Sequence, residues 1–197
     1  MGKYTNHAQR RLLMRNLQKT ADSLPEIQST YSDVQWTFAN HTTTVNPRTP
    51  TTPVVLYAGD YGFHTGNIIW RAHFTAKGSE TGLQLQMIGG LAFGYSVWLD
   101  DQFIGSWEGD APHTDYNSTH TFPQSLKSGS KHVLTILQDH MGYEEDYIAA
   151  SETFKTPRGV LGYDFVGSDS TTVDVWKVTG NLGGESVSSE PLGSTSS

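Results

Sequence analysis

Ser96-Val97-Trp98-Leu99-Asp100-Asp101-Gln102-Phe103-Ile104-Gly105-Ser106-Trp107 is the stretch that decides the fold. Two short apolar runs flank a pair of aspartates. Such residues favour turns because the short carboxylate bonds its own backbone and tolerates left-handed conformations. Gly105 lets the second run bend. The whole reads as strand, turn, strand, with Gln102–Trp107 as the second strand.

Working outward, the same grammar repeats. Ile68, Trp70, Ala72 and Phe74 fall on one face of an extended run to Thr75, with Arg71 and His73 on the other. Arg71 and His73 are therefore expected to meet solvent or another domain. Leu83, Leu85 and Met87 alternate with Gln84 and Gln86, and Gly89-Gly90 separates them from a strand over 92–99. Further strands are expected at Val54–Ala58, Thr119–Phe122, Lys131–Gln138, Val160–Val166 and Thr171–Thr179. Between Asn40 and Val54 the X-Pro pairs Asn46-Pro47, Thr49-Pro50 and Thr52-Pro53 forbid a helix. Short strands at this spacing, with turn clusters between them, predict an all-β sandwich or jelly roll.

Composition fits that architecture. The 197 residues suit one domain with tails, long enough to bury a core without cross-links. Cysteine is absent, which rules out a disulfide framework and any Cys-based zinc site. No apolar run approaches the length of a membrane-spanning helix. The formal net charge is −7, and five of the thirteen basic residues sit in the first twenty positions, where no acid occurs. The remaining chain is strongly acidic, which argues against a nucleic-acid-binding surface.

Three segments are expected: a basic leader over 1–21, a β domain over 22–185, and a disordered Ser/Gly-rich tail over 186–197. Leu12, Leu13, Asn16 and Leu17 have helical spacing, so a short N-terminal helix is predicted, either packing on the domain or linking it to a longer polypeptide. The arginine-rich, acid-free start also has the look of an organellar transit peptide.

Several blocks in order carry a family likeness. They are Leu24-Pro-Glu26, Leu56-Tyr-Ala-Gly-Asp-Tyr-Gly-Phe-His-Thr-Gly66, Ile69-Trp-Arg-Ala-His-Phe74, Gly89-Gly-Leu-Ala-Phe93 and the opening hairpin. Gln138-Asp-His-Met-Gly142, Lys155-Thr-Pro-Arg-Gly-Val160 and Trp176-Lys-Val-Thr-Gly-Asn-Leu-Gly-Gly-Glu185 complete the set. Together they resemble the C-terminal jelly-roll region of fungal family-35 β-galactosidases. The resemblance implies a galactose-binding-like jelly roll that wraps a catalytic (β/α)8 barrel within a secreted enzyme. In such retaining enzymes two carboxyls about 5–5.5 Å apart perform the chemistry. This chain is too short for a barrel of about 250 residues and has no alternating βα pattern. No catalytic position is carried over. Where the family continues past Glu185, a Ser-rich tail begins here, so a fragment, a truncated gene product or an isolated domain is expected.

The chemistry-bearing residues weigh the same way. Glu144-Glu145-Asp146 is the densest acidic cluster, but chain neighbours rarely converge on one substrate atom, and a solvated loop explains them. Calcium favours clustered oxygen ligands, yet no spaced Asp/Asn/Gly loop stands out. His41, His64, His73, His113, His120, His132 and His140 lack ligand spacing, and no Gly-x-Ser-x-Gly elbow occurs. No metal and no cofactor are expected. Sugar binding is the serious candidate, because sugars offer apolar C–H faces to aromatic rings and hydroxyls to polar side chains. Trp107, His113, Asp115, Tyr116, Tyr143 and Arg158 are the residues expected to form such a rim, with Tyr61 and His64 beside them. Against this, Trp70, Trp98, Trp107 and Trp176 also suit a sandwich core, and Arg158 also suits a fork onto a structural carboxylate. Asn40-His-Thr42 and Asn117-Ser-Thr119 are N-glycosylation sequons, consistent with an extracellular parent.

The expectation is a non-catalytic accessory domain whose partner is a catalytic barrel. The alternative is a free-standing module that recognises galactosyl glycans.

Overall fold

The alternation of Ile68, Trp70, Ala72 and Phe74 makes their strand the axis of the molecule, seen in a computed structural model that describes residues 24–64, 66–90, 93–109, 114–140 and 156–182. In chain order the strands are β1 (Thr37–Phe38), β2 (Leu56–Tyr57), β3 (Gly66–Thr75), β4 (Gly82–Ile88), β5 (Tyr95–Leu99), β6 (Gln102–Trp107), β7 (Asp115–Thr121), β8 (Lys131–His140), β9 (Gly159–Val166) and β10 (Val173–Leu182). They form two sheets ordered β1-β10-β3-β8-β5-β6 and β2-β9-β4-β7. Every pairing is antiparallel. Setting β5–β6 aside, consecutive strands occupy matching positions in the two sheets: β1 with β2, β10 with β9, β3 with β4, β8 with β7. That nesting is the jelly-roll arrangement. The opening hairpin is an addition to it, inserted between β4 and β7 and extending the larger sheet.

The β5–β6 turn is fixed by the aspartates that announced it. Asp100 takes a positive φ of 52°, a conformation that a short polar side chain supports better than most. Its Oδ1 accepts from Val133 N at 3.0 Å, and its Oδ2 shares a 2.8 Å hydrogen bond with His132 Nδ1. A bulge between Val97 and Trp98 re-aims β6. There Gly105 lies so close to His120 that an added Cβ would stand 2.2 Å from Nδ1.

The core lies between the sheets. Trp70, Phe74, Leu85, Met87, Val97, Ile136 and Val160 are among the residues that fill it. Strand ends moved more than strand identities: β2 is shorter than expected because the chain turns at Ala58–Tyr61 into a 3-10 turn closed by Gly62 at φ 83°, and β7 begins earlier, at Asp115. The predicted N-terminal helix and Ser/Gly tail lie outside the described residues.

Arg71 corrects the expectation of a solvent-facing strand surface. It is fully buried, because residues 24–36 cross the outer face of the larger sheet. Arg71 donates to the carbonyls of Glu26 and Gln28 at 2.9 and 3.2 Å, and its guanidinium lies 5.8 Å from the ring centroids of Tyr31 and Trp36. Asp33 gathers three basic side chains: Arg71 Nε at 3.2 Å, His73 Nε2 at 2.6 Å and Lys177 Nζ at 3.1 Å. Near the middle of this strap, Ser29 N donates to Asp101 Oδ1 in the β5–β6 turn.

Candidate functional site at the two edges of the sandwich

Trp107 and Tyr116 arrive at one edge by simple alternation. Trp107 ends β6 opposite Tyr95, and Tyr116, the second residue of β7, lies opposite Met87; both pack against the core. β6 and β7 are the outermost strands of their sheets, and the two rings stack across the gap, parallel at 4.3 Å. Phe93 packs on Trp107 at 4.6 Å, ring edge to ring face. The stack thus closes the sandwich edge with faces that a sugar would need.

Behind the stack lies a buried polar chain. Tyr95 OH and Ser118 Oγ share a 2.6 Å hydrogen bond, and Ser118 Oγ lies 2.9 Å from His120 Nε2. Burial pushes the Tyr95 hydroxyl up to about 12. Burial also pushes the His120 imidazole below its ordinary range, against the opposing effect of a hydrogen bond to the Ile104 backbone. A serine beside a neutral histidine is half of a nucleophilic device. The backbone of Ile104 stands where a carboxylate would orient the ring, so the arrangement reads as packing.

The other predicted rim residues scatter. Asp115 pairs with Arg48 at 2.7 Å, both partners well exposed. Arg158 is buried, and its carbonyl accepts from Ala58 N at 2.7 Å. Tyr61 spends its hydroxyl on Val55 O at 2.7 Å and on His41 N at 3.1 Å, while His64 stays exposed in the following loop. His113, Tyr143 and the Glu144–Asp146 cluster lie outside the described residues. Among the described residues no three His, Asp or Glu side chains cluster as a metal site, and no helix is long and apolar enough to cross a membrane.

The opposite edge was missed by the sequence reading. Between β1–β10 and β2–β9 the sheets part to leave a groove of about 710 Å³, within the range of small-ligand sites. Tyr163 and Trp176 form its floor, ring centroids 5.3 Å apart. Phe38 and Asn40 line one wall, with Asp164 and Asp174 also among its lining residues. Burial raises the Tyr163 hydroxyl, partly offset by a hydrogen bond with Trp176. Phe38 is 53% exposed and Val166 36%, both at this groove. The two sequons are exposed as well, Asn40 just past β1 and Asn117 within β7. The sequence signal for the groove was Trp176, which a sandwich core explains equally well.

Comparison with known proteins completes the assignment. The family described as "Beta-galactosidase second all-beta domain" matches residues 31–144. The chain is 50% identical over 168 residues to "Probable beta-galactosidase A" of Aspergillus fumigatus, and 49% identical over 170 to the protein of that name in Emericella nidulans. It is 47% identical over 168 residues to "Beta-galactosidase A" of Aspergillus niger. In each case the match covers 85% of this chain and only 16% of the relative. The jelly-roll nesting, the identity and the position of the match agree, and the chain belongs to the family of second all-β domains of β-galactosidases.

Proposed function

We propose that this chain is a non-catalytic accessory domain that docks onto the catalytic barrel of an extracellular β-galactosidase and stabilises it. One observation carries the reading: a two-sheet jelly roll corresponds to only 16% of each relative, so most of each of those proteins lies outside it. The hydrogen bonds agree: the Ser118–His120 pair is buried packing, and the Ser130 hydroxyl beside His132 is spent on Lys127 O.

The test is a deletion. Removing the matching segment from the β-galactosidase A of Aspergillus niger should lower its melting temperature and its kcat/KM for a nitrophenyl galactoside. The 197-residue chain added in trans should bind the truncated enzyme, and alone it should hydrolyse nothing. Hydrolysis by the chain alone, or a truncated enzyme as stable and active as the parent, would sink the proposal.

Recognition of galactosyl glycans by a free-standing module is the competing reading. At the predicted rim it is disfavoured, because Trp107 and Tyr116 cover each other. It draws instead on the groove over Tyr163 and Trp176. Saturable fluorescence change with galactan oligosaccharides, lost in Tyr163→Ala, would favour it.

A further inference from the structure

Phe38-Ala39-Asn40-His41-Thr42 follows β1 along the rim of the groove. Ala39 is buried, and its N–H bonds Trp176 O at 2.9 Å. Phe38 and Asn40, on either side of it, therefore share the outward face. The next residue is pinned as well: His41 N donates to the Tyr61 hydroxyl at 3.1 Å, its carbonyl accepts from Val55 N at 2.7 Å, and its ring stacks on Tyr61 at 4.4 Å. Asn40 thus presents an exposed side chain from backbone held on both flanks.

Phe38 is the unexpected neighbour. An aromatic ring 53% exposed on a short edge strand leaves apolar surface in water. Lys177 Nζ lies over the ring, 4.8 Å from its centroid, yet the residue keeps that exposure. Two residues of extended chain separate Phe38 from Asn40 by about 6.6 Å, which suits a sugar ring attached to the asparagine and folded back onto the phenyl face. Asn117 lacks this device, because the residue two before it is Asp115, held by Arg48.

We propose that Asn40 carries an N-linked glycan whose first N-acetylglucosamine lies on Phe38, at the mouth of the groove. The inference rests on the extracellular reading above. In the modification the Asn40 amide nitrogen loses a proton and bonds the anomeric carbon of a lipid-diphosphate-linked oligosaccharide. The C–O bond to the lipid diphosphate breaks, and the diphosphate leaves with its electron pair. The attached sugar then shields the ring that the bare chain exposes.

The test secretes the 197-residue chain from a eukaryotic host with N-glycosylation and maps occupancy at both sequons by mass spectrometry. Asn40 should be occupied. The glycosylated chain should melt about 2–4 °C above Asn40→Gln, and trimming to a single N-acetylglucosamine should preserve that gain. In a Phe38→Ala background the gain should vanish, whereas Asn117→Gln should leave the melting temperature unchanged. An unmodified Asn40, or a gain that survives Phe38→Ala, overturns the proposal. Because the host imposes the secretory route, either result leaves the accessory-domain reading untouched.

Discussion

Replacing Asp33 by asparagine should release the strap over residues 24–36. The carboxylate is nearly buried and is met by three basic side chains, Arg71, His73 and Lys177, at 2.6–3.2 Å. Its backbone carbonyl accepts from Lys177 Nζ at 2.8 Å as well. Arg71 is wholly buried, so removing the anion strands a guanidinium with no access to water. Breaking a buried pair from one side costs about 3–5 kcal/mol. At about 2–4 °C per kcal/mol for a domain of this size, the melting temperature should fall by roughly 6–20 °C. Burial pushes the Asp33 carboxyl up, but the hydrogen bonds from His73 and Lys177 and the charges of His73 and Arg71 outweigh it, leaving the pKa below its ordinary 3.8. The unfolded chain therefore takes up the proton first as pH falls. The stabilisation is full above about pH 4 and is lost as pH falls through the lowered value. Urea titrations of wild type and Asp33→Asn should diverge at pH 7 and converge in acid. A difference below about 1 kcal/mol at pH 7, against the range for buried pairs, would refute the reasoning.

Other positions make separate predictions. Gly105→Ala should cost about 1–3 kcal/mol by overpacking, since its Cβ would meet the buried His120 ring at 2.2 Å. Gly129→Ala, where nothing stands within 4 Å but φ is +80°, should cost only the left-handed strain of about 1–2 kcal/mol; denaturant midpoints compare the two. Glu80 is buried, accepting from Lys77 N at 2.6 Å, Gly78 N at 2.8 Å and the Thr171 hydroxyl. Burial opposes its ionisation, but these bonds prevail and bring its pKa down to about 2. Stability should thus fall as pH drops from 4.5 towards 2, a dependence that Glu80→Gln removes at a cost of about 1.5–3 kcal/mol. His120, depressed by burial, binds a proton more readily unfolded. Stability should decline as pH falls below 6.5, and the slope should flatten in His120→Asn, read from urea midpoints across pH 5–7.

Much of the fold was legible because its signals are local. β6 begins and ends where the residues place it, and the alternation in β3 assigns the right side chains to the core. What escaped was set by distant partners. Nothing near Arg71 announces that Glu26, Gln28 and Asp33 will cover it, so a charged residue opposite an apolar face read as exposed. β1 escaped because two exposed residues carry no alternation. At the site, Trp107 and Tyr116 were chosen as separate rings, and their mutual stacking depends on two sheets meeting at an edge. The groove draws its walls from opposite ends of the described chain, a juxtaposition that only the jelly-roll wiring creates.

The strap has a mechanical consequence. A domain built into a larger enzyme transmits tension along its backbone, and a pull from the N-terminal side meets Glu26 and Gln28, held by Arg71, then Ser29, held by Asp101, and then Asp33. There it divides between β3, through Arg71 and His73, and β10, through Lys177. Those two strands lie side by side inside the larger sheet. Force therefore enters at the sheet's interior, and β1, whose two residues pair only with β10, lies beyond these anchors.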